Sequence, residues 1–510
     1  MSIDIATLSA VAGELASWDV LAMLVVGVIG GIVLGALPGL SATMGIALLI
    51  PITFGMPPTA ALILLAAIYT AAVYGGSITA ILIHTPGTPS SAATALDGYQ
   101  MTLRGEGLKA LGTSTACSVI GGVVSAVALL VFAPPLAEIS IKFSAPEYFL
   151  MAVFGLTIIA SLSAGSMIKG LAAGIVGLLV GLVGVDLMTA YPRFTFDQMN
   201  LENGIALVPA MIGLFSISQV LVQAEKIGLA QSGSEIAALK GRLFPDRAEW
   251  RGLSKTVGRS SIIGLLVGIL PGAGGDVASW VAYNEAKRAS RHPETFGQGE
   301  IEGLAASETA NNAVTGGAMI PLLTLGIPGS AATAVMLGGL YIHGLQPGHE
   351  LFTQHASVAY AVIVGLVMAN ILMGIFGLTM ARHVVKVASI PFAILAPVII
   401  VLSVVGSYAI NNSMFDVYVM AAFGLLGYFM RKTGFSTAAV VLAMILGGMA
   451  ETGYRQSLIM AKGDFIGYYL GRPLSLALLG LIAFALLSPL LVKWRERRTG
   501  TRLTIQEADA

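Results

Sequence analysis

Charge is what this chain has least of. Only 11% of its 510 residues are Asp, Glu, Lys or Arg, while 56% are hydrophobic and the mean hydropathy is +0.86. Soluble domains carry about 25% charged residues. The composition therefore excludes a soluble globular chain and indicates a polytopic membrane protein. Cysteine is nearly absent, and the single Cys117 excludes an intrachain disulfide framework. Net charge is zero, which removes any electrostatic argument for a nucleic-acid partner. Catalytic and nucleotide motifs are missing too. The six histidines form no HExxH or paired-ligand pattern, and no GxxxxGK(S/T) loop is present, although Gly268–Gly275 is glycine-rich. No Lys or Arg occurs before Arg104. The N-terminus thus lacks the basic region of a signal peptide and carries Asp4, Glu14 and Asp19 instead.

What is abundant is apolar sequence in long runs: Trp18–Ala36, Thr59–Ile83, Ala110–Val131, Lys169–Met188, Ile205–Val222, Ala356–Leu378, Pro391–Tyr408 and Leu474–Val492. About 20 such residues span a bilayer core. The runs are continuous, without the period-2 alternation of barrel strands. The 62 Gly and 21 Pro fit close helix packing with interrupted helices. The expected fold class is an all-α polytopic membrane protein with discontinuous helices and roughly 12–15 membrane segments.

Basic residues orient it. The acidic N-terminal tail is placed outside, and Lys493-Trp-Arg-Glu-Arg-Arg498 inside. The loop Ala224–Arg259 holds Lys226, Lys240, Arg242, Arg247, Arg251, Lys255 and Arg259, and belongs inside. Arg104/Lys109, Lys287/Arg288/Arg291, Arg382/Lys386 and Arg431/Lys432 follow it, whereas Lys142 and Arg193 run against the rule. The expected organisation is a first membrane repeat over 18–222, a basic cytoplasmic linker over 223–255, a second repeat over 256–492 and a cytoplasmic tail over 493–510.

Duplication is read from three matches in the same order. Gly35-ALPG-Leu40 matches Gly268-ILPG-Ala273; Tyr74-GGSITAILIHTPG-Thr88 matches Thr315-GGAMIPLLTLGIPG-Ser330 with a one-residue gap; Ser91-AAT-Ala95 matches Ser330-AAT-Ala334. Equivalent loops differ in basic charge. Gly55–Pro58 has no base and its counterpart around Lys287–Arg291 has three, while Leu96–Lys109 has two and Gly338–Glu350 has none. They are therefore expected on opposite sides, as in an inverted-topology repeat. A parallel duplication is the alternative.

A proline inside a helix removes a hydrogen bond, and non-helical backbone at membrane depth survives where protein buries it or water fills a cavity. Thr85, Pro86, Gly87, Thr88, Ser90 and Ser91 in one half, and Pro328, Gly329, Ser330 and Thr333 in the other, are expected to line such a cavity. Pro38, Gly39, Ser41 and Thr43 should lie beside them. Ser90, Ser91 and Ser330 stand where an N-cap would open the next half-helix. Two exposed helix N-termini favour an anion with two or more carboxylates, without a buried Arg or Lys. For one copy alone, a Pro-Gly pair ending a helix in a surface turn explains as much.

Polar side chains concentrate in the second half. Glu308, Asn311 and Asn312 share one helical turn in an apolar run, beside Thr309, and are read as sharing a face. Such groups are expensive in a membrane without partners. They supply oxygen ligands for Na⁺, or Glu308 a proton carrier; an interhelical hydrogen-bond network is the alternative. Asp276 and Asn284 are further coupling-ion candidates, and Asp276 equally suits the N-cap of a helix over Val277–Ala289. His84 and His343 near the breaks read as packed helix-end residues.

The stretches Gly35–Met56, YGGSITAILIHTPGTPSSAAT, Arg104–Thr113, Leu270–Ala289 and SETANNAVTGGAMIPLLTLGIPGSAAT closely resemble the large membrane subunit of the tripartite tricarboxylate transporter family, over about Trp18 to Trp494. The resemblance implies a multi-pass permease of the bacterial inner membrane, with its N-terminus periplasmic and C-terminus cytoplasmic on the reading above. It implies two partners, a small membrane subunit and a periplasmic solute-binding protein. It also implies import of di- or tricarboxylates or aromatic acids driven by Na⁺ or H⁺, with no other cofactor and no enzymatic activity. A passive small-anion channel and an intramembrane enzyme using Glu308 or Asp276 are the rival readings.

Overall fold

The computed structural model describes residues 5–162, 167–186, 188–225, 242–272, 274–388, 390–484 and 486. Lys226 and Lys240 of the basic linker, the run's end at 487–492 and the tail 493–510 lie outside the described residues. Helices dominate. The first stretch comprises α1 (Ile5–Leu15), α2 (Trp18–Ala36), α3 (Ala42–Thr53), α4 (Pro58–Ile83), α5 (Ala92–Leu103) and α6 (Gly107–Ser140). Next come α7 (Ala145–Leu162), α8 (Met167–Gly181), a two-residue antiparallel hairpin pairing Gly184 with Arg193, α9 (Met199–Glu202), α10 (Leu207–Ile212) and α11 (Ser218–Ala224). The remainder is α12 (Arg247–Ile269), α13 (Gly274–Ala289), α14 (Ile301–Leu325), α15 (Ala331–Ile342), α16 (His349–Thr353), α17 (Ala356–Ala388), α18 (Phe392–Asn411), α19 (Met414–Lys432), α20 (Thr437–Met460), α21 (Phe465–Leu470) and α22 (Pro473–Phe484).

Among the described residues, eight helices are long and apolar enough to cross a membrane. Two of them, α19 and α20, escaped the hydropathy reading because Asp416, Arg431, Lys432, Glu451 and Arg455 interrupt them. The run Lys169–Met188 is helical only to Gly181 and then turns into the hairpin. One compact unit holds residues 1–141 and 183–433, and a second holds 142–182 and 434–510. In the second, α20 packs on α7 and α8. There Glu147 is fully buried and accepts from Arg472 (2.6 and 2.9 Å), Ser475 (2.6 Å) and the Ser144 N–H (2.9 Å).

The first unit contains two matching sets of helices. α2 packs along α4 and α12 along α14, while α3 meets α15, α5 meets α13, α6 meets α14 and α17 meets α4. α2 ends at Leu37 (φ −76°, ψ 118°) and α12 at Leu270 (φ −75°, ψ 123°). α4 ends on a left-handed His84 (φ 53°) and α14 on a left-handed Gly326 (φ 70°). α5 and α15 close with one turn geometry: Gly105 (φ 82°) and Gly344 (φ 70°) follow the cap, and Glu106 N–H to Met101 O and Leu345 N–H to Leu340 O both span 2.9 Å.

Packing fixes the register between the sets. Gly31 sits against Ile68 and Ala71, and Gly264 against Ala310 and Ala313; Gly75 meets the Ile32 carbonyl, and Gly317 the Leu265 carbonyl. Gly75 thus corresponds to Gly317, so the gap introduced to align Gly75 with Gly316 is unnecessary. Tyr69 then corresponds to Asn311, and Thr70 to Asn312.

Candidate functional site

Each Pro-Gly break is folded back onto the Leu-Pro-Gly break of its own half. A methyl group on Gly87 would fall 2.0 Å from the Gly35 carbonyl oxygen, and one on Gly329 would fall 2.1 Å from the Gly268 carbonyl oxygen. Contacts that close exclude any side chain, so the two loops in each half pass backbone against backbone. Gly272 N–H adds a 3.0 Å bond to the Gly329 carbonyl, and Gly87 N–H a 3.2 Å bond to the Gly76 carbonyl.

Ser330 caps α15 as expected: its Oγ accepts from the Thr333 N–H at 3.2 Å, and its own N–H donates to Thr333 Oγ1 at 2.9 Å. Ser41 caps α3 through the Met44 N–H (3.2 Å). Ser91 departs from expectation. A 3₁₀ turn, Pro89–Ser91, precedes α5, and Ser91 Oγ donates back to the Thr88 carbonyl (2.8 Å) instead of capping. Thr88 Oγ1 lies 3.2 Å from Ser90 Oγ. Thr85 Oγ1 donates to the Ile83 carbonyl (3.2 Å). Pro38, Gly39, Thr43 and Pro86 are half-buried, and Pro328 is buried. Asp276 is not an N-cap, because α13 already begins at Gly274. It is exposed in the first turn, where a carboxylate is favoured by the helix N-terminus.

The turn holding Glu308, Asn311 and Asn312 splits three ways, which corrects the reading of a shared face. Glu308 is fully buried and accepts from four hydroxyls: Ser77 of α4 (2.6 Å), Thr94 of α5, and Ser114 (2.8 Å) and Ser118 (2.9 Å) of α6. Asn312 turns to α17, its Nδ2 3.4 Å from Met373 Sδ. Asn311 alone faces the breaks. A methyl group on Gly275 would lie 2.7 Å from Asn311 Oδ1 and 3.2 Å from Ser90 Cβ. Both polar atoms of Asn311 are buried without a hydrogen-bond partner, although buried amides are nearly always bonded. Thr309 is satisfied within its helix by the Ala305 carbonyl (2.7 Å). Asn284 lies exposed further along α13, away from the α13 start.

Several functional candidates escaped the sequence reading. Tyr69 of α4 is buried, and its hydroxyl lies 3.0 Å from Ser330 Oγ. Gln223 and Gln219 of α11 reach the first Leu-Pro-Gly break; a methyl group on Gly39 would meet their Nε2 atoms at 1.6 and 3.3 Å. Their i, i+4 spacing was the available signal. Asp97 of α5 is buried, and its Oδ1 accepts from the N–H groups of Gly297, Gly299 and Glu300 at 2.8 Å each, while Oδ2 accepts from Tyr283 (2.9 Å). Nothing local announced this, since the loop lies some 200 residues downstream. Among the described residues no group of three or more His, Cys, Asp or Glu is placed to hold a metal ion.

Paired helix breaks around a buried polar centre, inside a bundle of membrane-spanning helices, define the class as a multi-pass α-helical membrane protein with discontinuous helices. The chain belongs to the tripartite tricarboxylate transporter TctA family, whose sequence profile matches residues 21–442. It is similar to an uncharacterized 52.8 kDa protein in the TAR-I ttuC′ 3′ region of Agrobacterium vitis, at 38% identity over 474 residues and 93% of each chain. A protein in the TAR-II ttuC′ 3′ region of the same organism is 36% identical over 46% of this chain and 97% of its own. No solved structure matches. Membership makes the chain a component of a tricarboxylate transporter, and the tripartite system implies partner subunits.

Proposed function

We propose that the chain is a secondary active transporter importing organic carboxylates across the bacterial inner membrane, coupled to Na⁺ or H⁺. It receives substrate from a periplasmic binding protein and works beside a small membrane subunit. The observation that carries this reading is the Asn311 amide, buried without hydrogen-bond partners and packed, like Ser90, against Gly275 at the start of α13. An orphaned buried amide is stable when a ligand completes it. The half-helix starts at Ser330 and Ala92 supply N–H donors for carboxylates.

Asp276 supplies the coupling. It stands in the α13 first turn, next to Gly275, which packs against Asn311 and Ser90. A carboxylate ligand there is repelled by Asp276 unless a cation or proton lies between them. Anion and cation then bind each other's completed site, which is positive coupling. Asp276 is thus the leading coupling-ion donor. Glu308 has both oxygens engaged by hydroxyls and serves instead as a fixed charge or proton site behind them.

The helix contacts support inverted repeats and alternating access. The end of α3 lies at the end of α15, where His343 Nε2 is 3.1 Å from Thr53 Oγ1, and the end of α5 lies at the α13–α14 loop through Asp97. α4 and α5 carry the chain from one membrane face to the other. Equivalent ends on opposite faces are what inversion requires, and these contacts support that arrangement. The test is uptake of radiolabelled carboxylates into proteoliposomes holding all three components, with and without a Na⁺ or pH gradient. Accumulation above equilibrium that Asp276→Asn abolishes is expected. Equilibration without accumulation would make the protein the passive channel instead.

A further inference from the structure

Resting on that transport reading, we propose that Tyr69 and Asn311 are the two unlike ends of one substrate site. In this arrangement Tyr69 donates to a substrate carboxylate and Asn311 reads a substrate hydroxyl, so the site selects hydroxycarboxylates. Three observations meet here. First, the packing register makes Tyr69 and Asn311 equivalent positions, each following the residue (Ile68 or Ala310) that touches the matching glycine of the companion helix. Second, each lies toward the half-helix start of the opposite set: Tyr69 bonds Ser330, before α15, and Asn311 shares Gly275 as a neighbour with Ser90, before α5. A molecule lying between the two half-helix starts therefore meets one of these side chains at each end.

Third, their chemistry differs in a way that sorts ligands. The Tyr69 hydroxyl has one proton, and Ser330 Oγ can accept or donate in their shared bond. When a carboxylate arrives at the α15 start, the phenol turns its proton to it and Ser330 supplies the donor behind. Asn311 offers both a carbonyl oxygen and an NH₂ group, neither with a partner. A carboxylate has only acceptors and satisfies the NH₂ alone. A hydroxyl bonded to carbon next to a carboxyl group donates to Oδ1 while its neighbouring carboxylate accepts from Nδ2, so both orphan atoms are completed. Sites built to bond a hydroxyl reject analogues lacking it, because the buried group is then left unpaired.

The experiment measures binding of malate against succinate, and of citrate against propane-1,2,3-tricarboxylate, to the full chain in lipid nanodiscs with Na⁺ present and no binding protein. The wild type is expected to bind each hydroxy acid at least about tenfold more tightly. Asn311→Leu, which keeps the volume, should bring both ratios close to one, and Asn311→Ser should retain part of them. Tyr69→Phe should weaken all four acids alike by about tenfold and leave the ratios standing. Equal wild-type affinities within each pair overturn the proposal while leaving carboxylate transport intact, and so does an Asn311→Leu protein that keeps the ratios or a Tyr69→Phe protein with unchanged affinities. Wild-type binding of none of the four acids sinks the transport reading and this one together.

Discussion

Glu308 illustrates what a single residue reveals and conceals. A carboxylate in an apolar helix stands out in sequence, because burying a charge without partners is prohibitive. Its partners do not stand out. Serine and threonine are common in membrane helices and usually bond their own helix carbonyls, as Thr115 and Thr309 do here. Ser77, Thr94, Ser114 and Ser118 instead converge from three helices on one carboxylate. Ser114→Ala with Ser118→Ala leaves Glu308 Oε2 without donors. We expect a loss of about 3–6 kcal/mol, from two hydrogen bonds to a charged group, read as a fall in the thermal midpoint of the purified protein. Glu308→Gln should lose less, because its amide oxygen still accepts two hydroxyls. At the proposed substrate site, Ser330→Ala is expected to lower uptake several-fold while folded yield is retained, since a cap contributes only about 1 kcal/mol.

At the scale of elements, the two breaks were legible and their depth was not. Pro-Gly pairs end α4 and α14 as the sequence indicated. Their mutual contact with Gly35 and Gly268 was hidden, because a glycine chosen for close approach reads like one chosen for a turn. Alanine at either position must move a carbonyl oxygen that sits about 2 Å from its methyl group. We expect Gly87→Ala and Gly329→Ala each to abolish transport, with midpoints lowered more than by Gly55→Ala, whose added methyl meets nothing within 4 Å. The capping of α12 was not anticipated either, although Asp246 three residues before Glu249 is a capping box in plain view. Asp246 accepts from the Ala248 and Glu249 N–H groups at 2.9 Å, and Glu249 returns to the Asp246 N–H at 2.8 Å.

For the whole molecule, loop charges suffice to propose inversion, while the contacts that support it are non-local and invisible in sequence. Cysteine accessibility tests it on whole cells. The one native cysteine is buried, so background labelling is low. Gly55 is exposed and suitable, but Gly348 is buried with φ 110°, so Gln346 replaces it in the second loop. Cysteines at 55 and 346 should react with an impermeant maleimide from outside, and one at 291 only after permeabilisation. Reaction of 346 from the inside alone would exclude the inverted arrangement. What was lost are α19 and α20, whose charged residues mask their length.

The three N–H groups held by Asp97 share a single carboxylate oxygen. They cannot be released one at a time without leaving the others on a weakened, shifted acceptor. The loop before α14 is therefore expected to open as one unit, like a catch. In deuterium exchange the amides of Gly297, Gly299 and Glu300 should be lost to solvent at one common rate, which is the rate at which the catch springs. Asp97→Asn, with a weaker acceptor, should quicken all three together. A catch of this kind sets a clock: if substrate movement must wait for it, turnover and the exchange of three amides keep the same time.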